Sequence, residues 1–352
     1  MHKLHFHKFS KRISSIFFLC FLMIFISGCS KVRPDVVRIS EKYRIPEEKQ
    51  LIVYTSHKEE VYLPVIREFE SRTGIRVEVK TGGTAELFEQ VKTASQKGEC
   101  DIMFGGGIES YEAQKDLFMP YEVTEKNKLD PAFVSLNNSW TPFTELPLVF
   151  VYNNKLVSDI VAPSTWTDFF KDRWKGQIAF ADLHNSGTSY TILSTLVQIT
   201  GKPLDSCILT FLDQLDGKVL DSSGQVITNV SNGTFLIGIT LEETAKKAIA
   251  DGYDISMVYP TDGTSAVPDG CAMVKNAPHS YNAGLFIDFI VSMDTQEYAV
   301  SEFYRRTVRT DMALPEGFSD VKRADFDIAR SANHEQKIFD LWDSYFSKEG
   351  RP

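Results

Sequence analysis

The chain has 352 residues, of which 43% are hydrophobic and 24% are charged, and its formal net charge is −9. These fractions are typical of a globular protein and exclude a disordered chain, collagen and a multispanning membrane protein. The acidic balance also argues against nucleic acid as a partner, because binding to phosphate backbones requires clustered Lys and Arg.

An export signal is predicted at the N-terminus. Four basic residues and no acidic residue precede the apolar run Ile16–Ile26. A spanning helix needs about 20 apolar residues, so this shorter run is interpreted as the core of a signal peptide. The sequence Ile26-Ser27-Gly28-Cys29 follows and resembles the lipobox of bacterial lipoproteins. The resemblance implies a signal peptide over residues 1–28 and a lipid on the sulfur of Cys29, and cleavage there would change the net charge to −13.

Cysteine and histidine spacing predicts neither a disulfide framework nor a metal site. Three cysteines remain after Cys29, namely Cys100, Cys207 and Cys271, so at most one bridge could form and its pairing stays open. No CxxC pair occurs, and the histidines that follow Cys29 show no HxxxH spacing. We therefore expect no cofactor.

The first half of the chain predicts a parallel sheet covered by helices. Residues 29–50 are polar and contain two prolines, which is typical of a tether between a lipid and a domain. Apolar strands then alternate with amphipathic helices in a βαβαβ order. The predicted strands are Leu51–Tyr54, Ile75–Val79 and Asp101–Phe104, and the helices between them follow Thr55-Ser56 and Gly82-Gly83-Thr84.

The second half repeats this alternation, which predicts a second lobe because a single core is improbable at this length. The strands are predicted at 148–152, 177–180, 235–240 and 255–259, and the helices at 190–199, 242–250, 283–290 and 298–306. The predicted division is a first lobe at 51–147 plus 271–320, a second lobe at 148–270 and a C-terminal helical segment at 321–352. Loops at the carboxyl ends of such strands are where ligands bind in α/β sheets.

Small or hydroxyl-bearing residues stand where several of these helices begin. The junctions are Thr55-Ser56, Gly82-Gly83-Thr84, Ser186-Gly187-Thr188-Ser189 and Ser222-Ser223-Gly224. A helix start offers unpaired N–H groups and a partial positive charge, so these junctions favour an anion site. The alternative is that each junction only caps its helix, as Ser and Thr commonly do.

The order of these motifs resembles the ferric-binding, sugar-phosphate-binding and aminoethylphosphonate-binding branch of bacterial ABC importer binding proteins. The resemblance rests on Leu51–Glu60, Phe69-Glu70, Thr73-Gly74-Ile75, Asp101–Gly107, Trp174–Ile178, Ser186–Tyr190, Tyr259-Pro260, Gly263–Gly270 and Phe286–Ile290. It implies an α/β type II periplasmic-binding-protein fold. Two lobes with mainly parallel sheets would be joined by crossings near Glu145–Tyr152 and Tyr259–Lys275, with the ligand between them.

The resemblance makes iron the second choice of ligand. Ferric-binding relatives hold the ion with a histidine, a glutamate and two adjacent tyrosines, and only His57 matches. The glutamate position falls near Ala85, and Thr240-Leu241-Glu242-Glu243 stands where the tyrosine pair is expected. His57 is therefore a metal ligand only under the ferric alternative.

The anion-binding part of the family pattern is better preserved. Ser186-Gly187-Thr188 matches the phosphate turn of the relatives, with Ser222 or Ser223 as a second polar contact. Glu242 could accept hydrogen bonds from sugar hydroxyls or pair with an ammonium group, or it could simply occupy the first turn of a helix. The full set of expected ligand contacts is Thr55, Ser56, His57, Gly83, Thr84, Ser186, Gly187, Thr188, Ser222, Ser223, Glu242, Tyr259 and Thr264.

The predicted function is capture of a small phosphorylated organic anion outside the cytoplasmic membrane. The protein would be a lipid-anchored monomer that faces the periplasm or cell exterior and delivers a sugar phosphate or phosphonate to an ABC permease and its ATPase. We expect no catalytic residue, because neither a nucleophile with a base nor a metal cluster is visible. An extracytoplasmic phosphatase and a signalling lipoprotein are the remote alternatives.

Overall fold

The computed structural model describes residues 44–348. The predicted signal peptide, Cys29 and the tether up to residue 43 lie outside the described residues. The strands are β1 (Gln50–Thr55), β2 (Arg76–Thr81), β3 (Ile102–Gly107), β4 (Phe118–Met119), β5 (Thr141–Pro142), β6 (Thr144–Glu145), β7 (Leu148–Asn153), β8 (Ile178–Ala179), β9 (Ile237–Leu241), β10 (Ile255–Val258), β11 (Asp269–Val274) and β12 (Arg306–Thr307). The helices are α1 (Glu59–Thr73), α2 (Thr84–Lys97), α3 (Ile108–Ala113), α4 (Gly187–Thr200), α5 (Leu204–Leu215), α6 (Val226–Ser231), α7 (Glu242–Ala250), α8 (Ser280–Ile290), α9 (Met293–Phe303) and α10 (Ile328–Lys348).

The first sheet has the strand order β2-β1-β3-β11-β4, and β5 also pairs with β11. Strand β1 runs parallel to both β2 and β3, whereas β11 is antiparallel to its neighbours. Helix α1 packs an apolar face on this sheet and ends at Gly74, whose φ of 68° is the left-handed conformation that glycine adopts at little cost. This sheet and the helices that share its hydrophobic core are called the first lobe.

The second sheet has the strand order β10-β7-β9-β8 and mixes parallel with antiparallel pairs. Every residue of β7 is buried, because the strand lies in the middle of the sheet with a packed layer on each face. Its core is rich in aromatic side chains, and helix α10 adds Ile338 and Trp342 to it. This sheet and its helices are called the second lobe.

Two crossing segments join the lobes, between β6 and β7 and between β10 and β11, and the chain crosses a third time between β12 and α10, whose side chains enter the core of the second lobe. The first two segments are bonded to each other, since the Thr264 hydroxyl donates to the Leu148 carbonyl at 2.8 Å and the Leu148 N–H donates to Ser265 at 3.2 Å. Strand β12 returns from the first lobe and pairs with β6 beside these crossings. The predicted domain boundaries remain predictions.

Two sequence predictions are modified. The helix predicted at 298–306 ends at Phe303, because Tyr304 adopts a left-handed φ of 57° and the chain then enters β12. Cys100, Cys207 and Cys271 are all buried with free thiols, so none of the three forms the bridge that the sequence left open. Within residues 44–348, no helix is long and apolar enough to cross a membrane.

Candidate functional site

A cavity of about 280 Å³ lies between the two lobes. Most of the predicted ligand contacts line it, namely Ser56, His57, Gly83, Thr84, Ser186, Gly187, Thr188 and Ser223. These residues come from segments far apart in the chain, and they meet because the strand-to-helix junctions of both sheets face each other.

Five helices begin at this cavity. The residues that cap α1, α2, α3, α4 and α7 all line it, and they are Lys58, Gly83, Gly107, Ser186 and Leu241. A helix start carries a partial positive charge and has N–H groups without a partner inside the helix. The first N–H groups of α3 and α7 are already bonded, since those of Ile108 and Glu242 donate to the carbonyls of Pro268 and Pro147. The Ser186 hydroxyl oxygen accepts the Ser189 N–H at 3.1 Å, so this side chain caps α4 while its own hydrogen can still be donated.

Two glycines allow the backbones of this region to approach one another. A Cβ atom on Gly187 of the second lobe would lie 2.9 Å from the Thr84 hydroxyl oxygen of the first lobe. A Cβ atom on Gly106 would lie 2.6 Å from a Thr84 carbon, and the φ of Gly106 is +86°. Side chains at either position would therefore disturb the contact between the lobes.

Arg305 is the main fixed positive charge at the cavity wall. Its guanidinium donates to Asp269 Oδ2 at 2.6 Å and to the Thr144 hydroxyl at 3.2 Å. Glu243 Oε1 lies 3.7 Å away, which is too far for a hydrogen bond. The Arg305 Nε is buried without a hydrogen-bond partner. Arg305 is thus anchored on one side and incompletely paired on the other.

His57 lies beside this arginine. Its Nε2 is 3.3 Å from Asp269 Oδ2, but the geometry does not make a hydrogen bond. Burial, together with the nearby Arg305 charge, lowers the pKa of His57 well below 6.5. The imidazole is therefore neutral at pH 7, and it presents a polar but uncharged group to the cavity.

The structure corrects the predicted role of Glu242. Its carboxylate is 1% exposed and accepts two hydrogen bonds from Arg306, at 2.6 and 2.9 Å, as well as one from the Tyr259 hydroxyl. Glu242 and Tyr259 therefore bind each other outside the cavity lining. The next residue, Glu243, lines the cavity instead, because successive residues of a helix point about 100° apart.

Three other predicted contacts also lie outside the lining. Thr55 is fully buried, and its hydroxyl oxygen accepts the His57 N–H at 3.2 Å. Thr264 bonds the two crossing segments, as described above. Ser222 precedes the short 3₁₀ turn Ser223–Gln225 and is exposed, so only Ser223 faces the cavity.

The sequence reasoning missed several cavity residues. They are Lys58, Gly82, Gly106, Gly107, Leu146, Asn185, Thr191, Thr240, Leu241, Glu243, Thr244, Val267, Asp269 and Arg305. The run Gly105-Gly106-Gly107 at the end of a strand was a usable signal. Asp269 lies in the stretch Gly263–Gly270, which supported only the family resemblance, and Arg305 was predicted to lie in a helix; no local pattern distinguishes either one.

Comparison with known proteins identifies the family. Residues 100–330 match the model of the bacterial extracellular solute-binding proteins. The chain belongs to this family. The match covers more than half of the chain and includes the whole second sheet, the strands of the first sheet from β3 onward and the crossings between the lobes.

Individual relatives agree with this assignment. Iron uptake protein A1 of Synechocystis sp. (strain ATCC 27184 / PCC 6803 / Kazusa) is 25% identical over 76% of this chain and 78% of its own length. A putative 2-aminoethylphosphonate-binding periplasmic protein of Salmonella typhi is 20% identical over 69% and 73%. The periplasmic binding protein AfuA of Actinobacillus pleuropneumoniae, solved with fructose 6-phosphate, has a TM-score of 0.76 at 21% identity and covers 85% of this chain and 98% of its own.

The likeness to solved structures confirms the predicted α/β type II periplasmic-binding-protein fold. The prediction of mainly parallel sheets is wrong, because both sheets mix parallel with antiparallel strand pairs. The protein is a periplasmic solute-binding protein of an ABC importer and not an enzyme. Proteins of this kind work with a permease and an ATPase in the membrane.

Proposed function

We propose that this solute-binding protein captures a small phosphorylated organic anion, either a sugar phosphate or a phosphonate, in the 280 Å³ cavity. Delivery to the permease and ATPase would follow closure of the two lobes around the ligand. The single observation that supports this proposal best is the convergence of five helix starts on one cavity that also holds Arg305.

The anion end of the ligand is assigned to the turn Ser186-Gly187-Thr188. Backbone N–H groups at the start of α4 and the hydroxyls of Ser186 and Thr188 can all donate there, and the helix end attracts negative charge. Charge-assisted hydrogen bonds of this kind contribute roughly 1.5–3 kcal/mol each. A few of them are enough to hold a phosphate against water.

The organic end of the ligand is assigned to the wall formed by Thr240, Glu243 and Thr244. Glu243 Oε1 accepts the Thr244 hydroxyl at 2.9 Å. An ionised carboxylate only accepts hydrogen bonds, so the ligand group that meets Glu243 must be a donor. Sugar hydroxyls and the ammonium of an aminoalkylphosphonate both satisfy this requirement.

A ferric ligand is the second candidate, supported by the name of the Synechocystis relative and by His57 in the cavity. The other ferric ligands of the family pattern are not matched, because Ala85 stands near the glutamate position and Thr240-Leu241-Glu242-Glu243 stands where the tyrosine pair is expected. Among residues 44–348, no three His, Cys, Asp or Glu side chains cluster in a way that could hold a metal ion. We therefore rank iron below phosphorylated anions.

The test is calorimetric titration of the purified protein, without its lipid, against fructose 6-phosphate, 2-aminoethylphosphonate, inorganic phosphate and ferric citrate. We expect one of the first two to bind, and Arg305→Met to weaken its binding by about 30-fold, or about 2 kcal/mol. The matched control is Arg330→Met, which removes the same charge from an exposed position in α10. Tight binding of ferric citrate alone would contradict the proposal.

We also propose that the sulfur of Cys29 carries a lipid that holds the protein at the outer face of a membrane. The short apolar run Ile16–Ile26 and the lipobox-like Ile26-Ser27-Gly28 support this. Two or more acyl chains on one protein give stable anchoring. Replacement of Cys29 by Ala should release the protein into the soluble export fraction, and retention in the membrane fraction would contradict the proposal.

A further inference from the structure

Glu109 is a buried carboxyl group that the ligand cavity does not use directly. It stands in the first turn of α3 in the first lobe and is 0% exposed. Across the boundary between the lobes, the hydroxyl of Thr191 in α4 donates to Glu109 Oε1. Thr191 itself lines the ligand cavity. Glu109 therefore contacts the opposite lobe at the wall of the binding site.

The second carboxyl oxygen of Glu109 has no partner. Its Oε2 is buried and makes no hydrogen bond. A Cβ atom on Gly107, another cavity residue, would lie only 2.3 Å from this oxygen, so a side chain there would displace the Glu109 carboxyl group. A buried carboxylate with an unpaired oxygen is costly, whereas a protonated carboxyl carries no charge.

Within residues 44–348, no cation forms an ion pair with Glu109. Glu335 of α10 is a second acid, and burial together with the nearby Glu109 charge raises the pKa of Glu335; Tyr190 of α4 donates to Ser331. Asp269 of β11, which pairs in register with Gly107, is held by Arg305. The remaining cation is Lys92 of α2, which pairs with the exposed Glu89. Burial accordingly raises the pKa of Glu109 from 4.5 to about 7, and burial also raises the pKa of Glu335 to about 7.

We propose that Glu109 is a positioning residue that couples closure of the two lobes, and therefore ligand binding, to the uptake of one proton. In the closed arrangement the protonated carboxyl accepts the Thr191 hydroxyl bond and stays buried. When the lobes separate, Thr191 leaves, water reaches the carboxyl, and the proton is released. The proposal concerns the same cavity as the proposed function but does not depend on the ligand being a phosphate.

The direction of the pH dependence follows from linkage. The pKa of Glu109 is higher in the closed state, so closure is fully favoured at low pH and weakens as the pH rises from about 4.5 to about 7. Within this window one proton changes the closing equilibrium by up to about tenfold per pH unit. His57 is another titratable group of the cavity with a shifted pKa, which burial and Arg305 lower below 6.5, and it is the same in wild type and in Glu109→Gln. The contribution of Glu109 is therefore measured as a difference between wild type and Glu109→Gln.

The decisive experiment needs no ligand. Small-angle X-ray scattering of the protein should give a larger radius of gyration at pH 8 than at pH 5, whereas Glu109→Gln should stay compact at both. The matched control is Glu112→Gln in the same helix, because the Glu112 carboxylate is already bonded to Lys115 and Trp140. This control should behave as wild type. The proposal is overturned if wild type and Glu109→Gln respond equally to pH, or if only Glu335→Gln removes the response.

Calorimetry with fructose 6-phosphate in two buffers of different ionisation enthalpy gives an independent measurement. At pH 6, wild type should take up more protons than Glu109→Gln on binding, by up to one proton, because proton exchange by His57 and by the phosphate is common to both. An equal uptake would overturn the proposal. If fructose 6-phosphate does not bind while the scattering difference is present, the proposed ligand is wrong and the proton coupling stands. Thermal unfolding controls for folding, and Glu109→Gln should unfold at a higher temperature than wild type at pH 8.

Discussion

Two adjacent arginines, Arg305 and Arg306, interact differently with two adjacent glutamates. Arg306 binds Glu242 through two hydrogen bonds and also donates to the Ser319 carbonyl at 2.7 Å, away from the cavity. Arg305 faces the cavity, where Asp269 holds one side of it and Glu243 stays 3.7 Å away. Arg306 is the first residue of strand β12. The two arginines point in different directions because successive side chains of an extended chain point to opposite sides.

The difference shows how a binding site keeps polar groups available. The Arg306–Glu242 pair is almost completely satisfied, so it has little left to offer a ligand and serves the junction between β12 and α7. The Arg305 pair leaves one buried nitrogen without a partner and one carboxylate free to accept. The unpaired polar groups lower the stability of the fold slightly, but they remain able to form hydrogen bonds with a ligand.

The largest expected effect comes from breaking the Arg306 pair. Arg306→Met leaves the Glu242 carboxylate buried with only Lys246, 3.1 Å away, as a cation. We expect the free energy of unfolding to fall by about 3 kcal/mol, since removal of one partner of a buried ion pair strands the other charge. Urea unfolding measures this loss, and the double variant Glu242→Gln/Arg306→Met should recover part of it. If Arg306→Met were as stable as wild type, the Arg306–Glu242 pair would not stabilise the fold, and the stated difference between the two pairs would be wrong.

The next largest expected effect is on ligand binding, and it comes from a glycine of the cavity and not from either ion pair. Gly187→Asp would place a side chain against Thr84 and a negative charge at the expected phosphate position. We expect binding to weaken by about a hundredfold or more, which is about 2.8 kcal/mol. The control is Gly224→Ala, because Gly224 is exposed and outside the cavity lining, and a Cβ atom there meets only the Ser222 hydroxyl oxygen, at 3.7 Å. Wild-type affinity in Gly187→Asp would mean that the anion binds elsewhere and that these residues only cap α4.

A smaller effect separates the two glutamates. Glu243→Gln should weaken binding of fructose 6-phosphate or 2-aminoethylphosphonate about tenfold, or about 1.4 kcal/mol, and leave inorganic phosphate nearly unchanged. Glu242→Gln should instead lower the free energy of unfolding and leave both affinities close to wild type. Calorimetry and urea unfolding of both variants test this assignment, which would be reversed if Glu242→Gln were the variant with the selective loss of affinity.

The smallest effect is a pH dependence of the buried pair. Burial raises the pKa of Glu242, but the hydrogen bonds from Arg306 and Tyr259 outweigh it, so the pKa lies below 4.5. A depressed pKa stabilises the fold above about pH 4.5, and that stability is lost as the pH falls. We therefore expect the difference in Tm between wild type and Glu242→Gln to narrow from pH 6 to pH 3. A constant difference in Tm between pH 6 and pH 3 would show that the charge of the Glu242 carboxylate contributes nothing to the stability of the fold.

Much of the fold could be predicted because its signals are local. The alternation of apolar strands with amphipathic helices placed β1, β2, β3, β7 and α7 close to their actual bounds. The helix starts at Gly83 and Ser186 were visible for the same reason, since capping depends on residues within one turn. Both junctions line the cavity, as expected from their position at the ends of strands.

Only the tertiary structure decided which charged residues meet at the site. Arg305 and Asp269 are separated by 36 positions and Arg305 and Thr144 by 161, so their contacts have no counterpart in any local pattern. The choice between Glu242 and Glu243 depends on the rotation of α7 about its axis, which packing against β9 and β10 fixes. The sequence by itself therefore determined the framework and the backbone donors of the cavity, because capping and periodicity act over a few residues. The identity of its charged side chains depended on contacts between distant segments, which exist only after both lobes have folded.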